Sequence, residues 1–339
     1  MARNRVLVFC TGGTIGMIPK DPRDPNSPLV AAPWEKLCEM LPALERLPFA
    51  VDYAALRLID SSDMDPDYWI ELAQRIEIAY RKYDGFVVLH GTDTMAYTAS
   101  ALSFMLENLG KAIVLCGARH PLRTPGGDAE RNFLAALRVA AWQPHIPEVC
   151  IVAGETLVRG NRARKAFSTS VFTSPRFPVL GRIVPLLRID EESIRPAPRG
   201  RLKVHSRIER NVLMIHLHPG ITPAFLRHAL RAKGLRGVAL LTFGAGNAPT
   251  HPGIRRALAE AVAKGIAIVN VTQCYGGRVD MGLYDTGAQL REVGLVHGGD
   301  MTPEAAITKL QVVLGMTSDM DEIRRLMQTD CAGERTRNI

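Results

Sequence analysis

The sequence predicts an α/β protein in which a mainly parallel sheet is flanked by helices. The first observation is a series of short apolar runs, at residues 5–10, 86–91, 112–117, 148–154, 212–218, 237–244 and 266–274. The second is that amphipathic stretches with helical periodicity lie between these runs, an order typical of parallel sheets. The third is that the runs are apolar throughout, which is typical of strands buried on both faces.

The expected helices follow the apolar runs along the chain. They cover residues 66–83, 93–109, 129–142, 222–232, 253–264, 302–314 and 321–327. Because the connection between two parallel strands of one sheet is a crossover, helices placed between strands cover the faces of the sheet. The pattern therefore predicts helices on both sides of the sheet.

Length and a local change of composition predict two domains. The chain has 339 residues, and a typical domain has about 150. Residues 182–210 are rich in proline and charge, as a connecting segment is. We expect a larger N-terminal domain over residues 1–190, a linker over 191–210 and a smaller α/β C-terminal domain over 211–339.

Composition excludes several classes of protein. With 47% apolar and 22% charged residues, the chain has the balance of a folded globular protein and not of a disordered one. The net charge of +8 could suggest nucleic acid. However, the arginines are scattered singly and no basic block is interleaved with aromatic residues, so we expect no nucleic-acid partner.

The ends and the cysteines indicate the compartment. The apolar run at residues 6–11 is too short for a signal peptide, and no window reaches the roughly 20 apolar residues of a membrane span. The six cysteines show no CxxC or Cys/His spacing suited to zinc. We therefore expect a cytoplasmic protein with reduced thiols, no membrane association, no metal and no cofactor.

Candidate functional residues follow the ends of predicted strands, where ligands bind in open parallel sheets. The first loop is TGGTIG, residues 11–16, in which the glycines allow a tight turn and Thr14 presents a hydroxyl. A nucleotide-binding loop is the alternative. It fits poorly because neither GxGxxG nor GK[ST] is present.

A second loop, HGTDT at residues 90–94, places Thr92 and Asp93 before a predicted helix, where helix capping is the alternative role. A third segment, residues 159–165, carries Lys165 among three arginines. A threonine hydroxyl needs a base, and a lysine can serve as one. The alternative for this segment is a solvated basic turn.

Two further segments have suitable side chains. Asp60, Ser61 and Ser62 offer a carboxylate and hydroxyls that could hold the ammonium and carboxylate of an amino acid, although the same residues also suit a helix N-cap. Residues 18–33 form an irregular stretch with five prolines among residues 19–33. Because it follows the first loop directly, we expect it to act as an active-site lid.

Taken together, six motifs in this order resemble the bacterial L-asparaginase family. They are TGGTIG (11–16), DSSDM (60–64), HGTDTMAYTASALSFMLENLGK (90–111), RGNRARKA (159–166), GAGNAP (244–249) and VTQCYGGRVDMGLYDTG (271–287). The similarity covers nearly the whole chain and is closest to the cytoplasmic type I branch. It implies hydrolysis of L-asparagine to L-aspartate and ammonia, with possible minor activity on L-glutamine.

The resemblance also implies roles for individual residues. Thr14 matches the nucleophile that forms an acyl-enzyme. Thr92, Asp93 and Lys165 match a second catalytic cluster, and Asp93 also contacts the α-ammonium of the substrate. The remaining substrate-binding positions that the resemblance implies are Asp60, Ser61, Ser62, Ala118 and Asn247. Backbone N–H groups around Gly91 and Thr92 suit an oxyanion hole.

One position departs from the family pattern. Family members usually carry a tyrosine on the lid, but no tyrosine lies between Thr14 and Tyr53, and Pro28 or a neighbour takes its place. Our hypothesis is that Tyr284 supplies this hydroxyl as a further catalytic residue. The alternative is that Tyr284 packs at a subunit contact.

The resemblance further implies a homotetramer built as a dimer of dimers, in which Asn247 comes from a neighbouring chain. Two other functions stay open at this point. One is an ammonia-donating subunit of a tRNA-dependent amidotransferase, and the other is an asparagine-binding sensor with weak hydrolysis.

Overall fold

A computed structural model describes residues 4–21, 23–24, 27–152, 154–169 and 171–336. The chain divides into two compact units, Met1–Val204 and His205–Ile339. Each unit contains its own sheet with helices packed on it, so the predicted α/β fold class is confirmed.

The first unit contains the following strands and helices within its described residues. Its strands are β1 Arg5–Cys10, β2 Met17–Pro19, β3 Leu29–Ala31, β4 Ala50–Ala55, β5 Gly85–Leu89, β6 Leu106–Glu107, β7 Ile113–Cys116, β8 Val149–Val152, β9 Thr156–Arg159, β10 Arg164–Phe167, β11 Val171–Thr173, β12 Gly181–Arg182, β13 Arg188–Ile189 and β14 Lys203–Val204. Its α-helices are α1 Trp34–Met40, α2 Pro66–Ala79, α3 Met95–Met105 and α4 Ala129–Ala140.

The large sheet has the order β13-β12-β9-β8-β7-β5-β1-β4 within the described part of the unit. The pairs from β8 to β4 are parallel. The three pairs that follow β8 on the other side are antiparallel. The parallel portion therefore has all its carboxyl ends at one edge, and four of its strands are followed by the loops that contain predicted site residues.

Side chains of these strands are buried on both faces of the sheet. Val6, Val8 and Cys10 pack in a core with residues of α1 and α4. Leu7 and Phe9 alternate with them and are equally buried, on the opposite face. The prediction of uniformly buried strands is confirmed here, and the apolar runs leave polar groups only at the strand ends.

The second unit has a parallel sheet in the order β15-β16-β17-β18 within its described residues. One face packs against α5 and α6, and the other against α8 and α9. The strands are β15 Val212–His216, β16 Gly237–Thr242, β17 Ala267–Thr272 and β18 Val296–His297, and the helices are α5 Pro223–Leu230, α6 Pro252–Ala263, α7 Asp285–Glu292, α8 Pro303–Met316 and α9 Met320–Gln328.

Several helices start where local chemistry dictates. Four begin with proline at the first position, after a residue whose side chain accepts a backbone N–H: Asp65, Thr222, His251 and Thr302. Proline is suited to this position because its missing N–H has no partner in the helix there. These starts are readable from sequence.

Two expectations from the sequence are wrong. The stretch 18–33 is not irregular throughout, because β2 and β3 pair as an antiparallel hairpin, while Pro22, Pro25 and Asn26 lie outside the described residues. The run at 212–218 is not buried on both faces. Its strand β15 lies at the edge of the second sheet, and Leu213 and His216 are exposed. An apolar run alone does not distinguish an edge strand from a central one.

Candidate active site

Four loops meet at the carboxyl edge of the large sheet. Strands β7, β5, β1 and β4 are neighbours in that order. They are followed by the loops at 117–118, 90–94, 11–16 and 56–62 respectively. Adjacent parallel strands bring adjacent loops together, so residues distant in sequence become neighbours here.

Lys165, Thr92 and Asp93 form one hydrogen-bonded cluster. The Nζ of Lys165 donates to Thr92 Oγ1 at 3.0 Å and to Asp93 Oδ1 at 2.5 Å. The Lys165 side chain is 18% exposed and that of Asp93 is 68% exposed. A proton can therefore move between an amine and a threonine hydroxyl while a carboxylate holds the amine in place. Because α3 begins only at Met95, Thr92 and Asp93 lie before its first turn.

A buried segment positions Lys165. Residues 159–163 are buried, and Gly160 lies so close to α3 that a Cβ there would be 2.8 Å from the Ala99 Cβ. Strand β10 then pairs with β11, with Lys165 opposite Phe172. Helix α3 starts directly after the Thr92 loop. The contact of Gly160 with Ala99 on this helix therefore positions Lys165 relative to Thr92 and Asp93.

A buried ion pair anchors the first residue of this segment, Arg159. The Arg159 guanidinium forms an ion pair with Glu148 through Nε, and its Nη2 lies 2.9 Å from Glu148 Oε1, with both side chains at most 4% exposed. The Cζ atoms of Arg159 and Arg162 lie 4.3 Å and 5.1 Å from the Phe177 ring centroid. The basic segment is therefore largely internal, and the alternative of a solvated basic turn is wrong for Arg159 and Arg162.

The loop carrying Thr14 lies directly on the Thr92 loop. Gly12 and Gly13 have φ of +120° and +82°, values that favour glycine, and a Cβ on Gly13 would lie 2.5 Å from Gly91 N. Thr14 follows in a short 3-10 helix, Thr14–Gly16, and is half-buried. The glycines thus bring Gly13, the residue before Thr14, close to Gly91, the residue before Thr92.

Asp60, Ser61 and Ser62 form the neighbouring loop. Asp60 Oδ1 accepts from Ser62 N at 2.8 Å and from Ser62 Oγ at 2.7 Å, and these hydrogen bonds lower the pKa of Asp60. Asp60 therefore caps a short 3-10 helix, Ser61–Asp63. The alternative role for this loop, as the N-cap of the helix that follows it, is wrong, because Asp65 caps α2. Ser61 is buried, and Thr94 Oγ1 donates to its carbonyl at 2.6 Å.

The fourth loop contains Ala118, which is buried. A Cβ on Gly117 would lie 2.9 Å from Thr92 Cγ2, so Ala118 follows a residue in contact with the cluster. Asn132 Nδ2 donates to Gly117 O at 2.9 Å, and Asp128 accepts from Arg119 N at 3.1 Å. Sequence reasoning missed Asp128 and Asn132, although an aspartate before an amphipathic helix is a recognisable start signal.

Sequence reasoning also missed three buried residues in and behind the Thr92 loop. Trp69, His90 and Thr98 are buried and joined by hydrogen bonds. In the sequence, His90 stands out only as the first residue of the HGTDT motif. The separation of eight residues does not predict the contact between His90 and Thr98, because that contact depends on the turn between β5 and α3.

Asn247 and Tyr284 belong to the second unit. Asn247 Oδ1 accepts from Thr286 Oγ1 at 2.6 Å, which joins the loop at 244–249 to the start of α7. Tyr284 precedes that helix and is 55% exposed. Buried Thr242, Asn270 and Thr272 support the same loop, and Thr272 Oγ1 donates to Gly244 O at 2.6 Å. These two predicted residues therefore lie in one local cluster.

Among the described residues, no group of three or more His, Cys, Asp or Glu side chains is placed to hold a metal ion. Within the same part of the chain, no helix has both the length and the apolar character needed to cross a membrane.

Comparison with known proteins gives consistent results for both halves of the chain. A family profile described as Asparaginase, N-terminal matches residues 5–195, and one described as Glutaminase/Asparaginase C-terminal domain matches residues 211–327. The chain is 40% identical over 342 residues to L-asparaginase 1 of Escherichia coli strain K12, covering 99% of both chains. It is also 40% identical to the 60 kDa lysophospholipase of Mus musculus, over 98% of this chain and 62% of that one.

A solved structure agrees. L-asparaginase I from Vibrio cholerae superposes with a TM-score of 0.90 at 39% identity, covering 99% of this chain and 100% of the other. The fold and these matches together define an α/β enzyme of the amidohydrolase class. The chain belongs to the asparaginase family, and the predicted resemblance to its type I branch is confirmed by these relatives.

Proposed function

We propose that the protein hydrolyses L-asparagine to L-aspartate and ammonia through an acyl-enzyme on Thr14. The observation that carries this proposal is the contact of Lys165 with both Thr92 and Asp93, together with the close approach of Gly13, the residue before Thr14, to Gly91. Relatives that match the full chain are named L-asparaginase, which supports the choice of substrate.

The proposed reaction has two steps. Thr14 Oγ attacks the side-chain amide carbon, its proton passes to the departing nitrogen, and ammonia leaves as an ester forms on Thr14. Water then attacks the ester carbon and releases aspartate, returning the proton to Thr14. Lys165 and Asp93 polarise the Thr92 hydroxyl, as a base and its orienting partner do in a serine triad.

The remaining site residues have binding roles in this proposal. Asp60, with its depressed pKa, is ionised at neutral pH and is suited to hold the α-ammonium of the substrate together with Asp93. Ser61 and Ser62 offer hydroxyls to the α-carboxylate, and Ala118 offers its backbone to the amide. The N–H groups around Gly91 and Thr92 would stabilise the oxyanion.

The second unit supplies two further proposed residues. We retain Asn247 as a substrate-binding residue and Tyr284 as the hydroxyl that stands in for the absent lid tyrosine. The exposure of the Tyr284 side chain is compatible with this role. Unchanged turnover in Tyr284→Phe would remove it from the mechanism.

The wider expectations are also proposals. We propose domains over 1–190 and 211–339 joined by residues 191–210, a cytoplasmic location and a homotetramer arranged as a dimer of dimers. Cross-linking and light scattering on the full chain test the assembly. A monomer at micromolar concentration would contradict it.

Ammonia release from the purified protein tests the function. L-Asn, D-Asn, L-Gln and asparagine-containing peptides are compared in a coupled assay, and we expect L-Asn to give the highest kcat/KM. Thr14→Ala should abolish release, while Thr14→Ser, which keeps the hydroxyl, should retain part of it. Binding of L-Asn without release by the wild type would indicate a sensor, and release only with a partner protein would indicate an amidotransferase subunit.

A further inference from the structure

His90 is the first residue of the loop that carries Thr92. It is completely buried, and both of its ring nitrogens are hydrogen bonded. Nδ1 lies 2.6 Å from Gly91 O, and Nε2 lies 2.9 Å from Thr98 Oγ1. Trp69 Nε1 donates to the same Thr98 hydroxyl at 3.0 Å. The described contacts form one chain from an indole through a hydroxyl and an imidazole to a backbone carbonyl.

The chemistry of the groups sets the direction of each hydrogen bond. A carbonyl only accepts, so Nδ1 must carry a proton, and an indole N–H only donates, so Thr98 Oγ1 accepts from Trp69. The Thr98 hydroxyl can then donate to Nε2 of a neutral imidazole. Burial lowers the pKa of His90 to about 4, which keeps the ring neutral at neutral pH. One tautomer, protonated at Nδ1, satisfies the whole chain.

The bond to Gly91 O constrains the peptide that leads to Thr92. A peptide unit is planar, and in the trans form its C=O and N–H point in opposite directions. The cis bonds in the described residues are both X-Pro bonds elsewhere, so this peptide is trans. With the Gly91 carbonyl held toward the imidazole, the Thr92 N–H is directed away from His90, and Thr92 itself is held where Lys165 contacts it.

We propose that His90 is a positioning residue that fixes the Gly91–Thr92 peptide through its Nδ1–H bond to Gly91 O, and thereby sets the Thr92 N–H and hydroxyl for the reaction. This role rests on the proposed function, in which Thr92 takes part in chemistry. His90 itself does not touch the substrate. A donor of fixed direction has its largest effect when charge develops in the transition state, so the role concerns kcat more than KM.

Two conservative variants separate positioning from simple core packing. In His90→Asn the amide nitrogen falls near the position of Nδ1 and can still donate to Gly91 O. In His90→Gln it falls near Nε2 and can still bond Thr98, but Gly91 O loses its donor. Each variant removes one hydrogen bond and buries an amide of similar polarity, so they are matched controls for each other.

We expect His90→Gln to lower kcat on L-asparagine by about 10- to 100-fold with little change in KM, whereas His90→Asn stays within about 3-fold of the wild type. Thermal midpoints of the two variants should fall by similar amounts. Equal kcat values in the two variants, or kcat losses that follow the loss of thermal stability, would overturn the proposal. An inactive wild type would overturn the proposed function first, and this role with it.

The tautomer of His90 can also be measured in the wild-type protein, so this second test does not depend on whether the variants fold. In protein labelled with ¹⁵N-histidine, long-range proton–nitrogen correlation distinguishes the tautomers of a buried imidazole. We expect His90 to be protonated at Nδ1 and unprotonated at Nε2. Protonation at Nε2 would remove the bond to Gly91 O and overturn the proposal even in an active enzyme.

Discussion

Gly160 lies against Ala99 so closely that a Cβ at position 160 would be 2.8 Å from the Ala99 Cβ and 3.0 Å from Val149 O. Gly160 precedes Lys165 on the buried segment, and Ala99 lies on the helix that begins after Thr92. The contact therefore fixes the distance between the two elements that form the Lys165 cluster. Both distances are below those of ordinary carbon contacts, so any side chain at 160 must push the segments apart.

We therefore predict that Gly160→Ala lowers kcat for ammonia release by about 10- to 100-fold, because small misplacements of catalytic groups are costly. Gly110→Ala is the matched control, since its Cβ would meet Tyr80 Oη at 3.4 Å, an ordinary contact. Steady-state kinetics and thermal unfolding of both variants are the measurements. Wild-type kcat in Gly160→Ala would show that the contact does not set the site.

Lys165 is predicted to act through its compact terminal amine, which exchanges a proton with the Thr92 hydroxyl. Lys165→Met should lower kcat by about 10²-fold or more, the scale of a lost general base. Lys165→Arg keeps the positive charge. A planar guanidinium does not fit the position from which the compact lysine nitrogen contacts both Thr92 and Asp93, so we expect this variant to have little more activity than Lys165→Met. If the arginine variant regains most of the activity, charge alone is sufficient and proton movement through Lys165 is excluded.

The neutrality of His90 predicts a pH-dependent stability. Its pKa is about 4 in the folded protein against 6.5 ordinarily, so between these values the unfolded chain binds a proton that the folded chain does not. The free energy of unfolding should fall as pH is lowered through this window and level off below about pH 4. Between pH 7 and pH 5, protonation of His90 in the unfolded chain should lower the free energy of unfolding by about 2 kcal/mol.

Urea unfolding of the wild type and of His90→Gln at several pH values isolates this contribution, because other titrating groups are common to both proteins. The difference in free energy between them should shrink as pH falls from 7 to 5. A difference that is constant over this range would show that folding does not lower the pKa of His90.

The buried pair of Glu148 and Arg159 is predicted to contribute to stability only as a pair. Removing one partner leaves a buried charge without compensation, and Glu148→Gln or Arg159→Met should each cost about 3–5 kcal/mol. The exposed pair of Arg5 and Asp52 is the control, and Asp52→Asn should leave the urea midpoint almost unchanged.

A double variant completes this test. If the pair is the cause of the loss, Glu148→Gln combined with Arg159→Met should be less destabilising than the sum of the two single changes. Additive effects would indicate that Arg159 acts through its packing on Phe177 and its bond to Ser193 O, both of which the structure also contains.

Much of the fold could be read from the sequence because uniform apolar runs and helical periodicity report burial directly. All seven expected runs overlap strands, and each expected helix overlaps an α-helix. The antiparallel extension β9, β12 and β13 was not predicted. Two of these strands, β12 and β13, are two residues long and lie in a proline-rich segment. They form because neighbouring strands pair with them, and their own residues show no strand pattern.

The site was predicted in part, for a similar reason. Strand ends identify the loops of Thr14, Ser61 and Thr92, and the sheet order brings these loops together. The contact of Lys165 with Thr92 joins residues 73 positions apart and depends on the packing of Gly160, which no local pattern reports. His90 was missed because a buried histidine is recognised only by its surroundings.

The tight glycines in these loops also have a consequence for directed evolution of the enzyme. Positions 13, 91 and 117 have no room for a methyl group, whereas Asp60 and Ser62 are exposed. Mutant libraries that randomise the three glycines will consist mostly of clones that cannot assemble the loops. Saturating positions 60 and 62 leaves the three glycine contacts unchanged and varies the side chains proposed to hold the α-ammonium and α-carboxylate of the substrate. It is therefore the more productive route to variants that differ in selectivity for that end of the substrate.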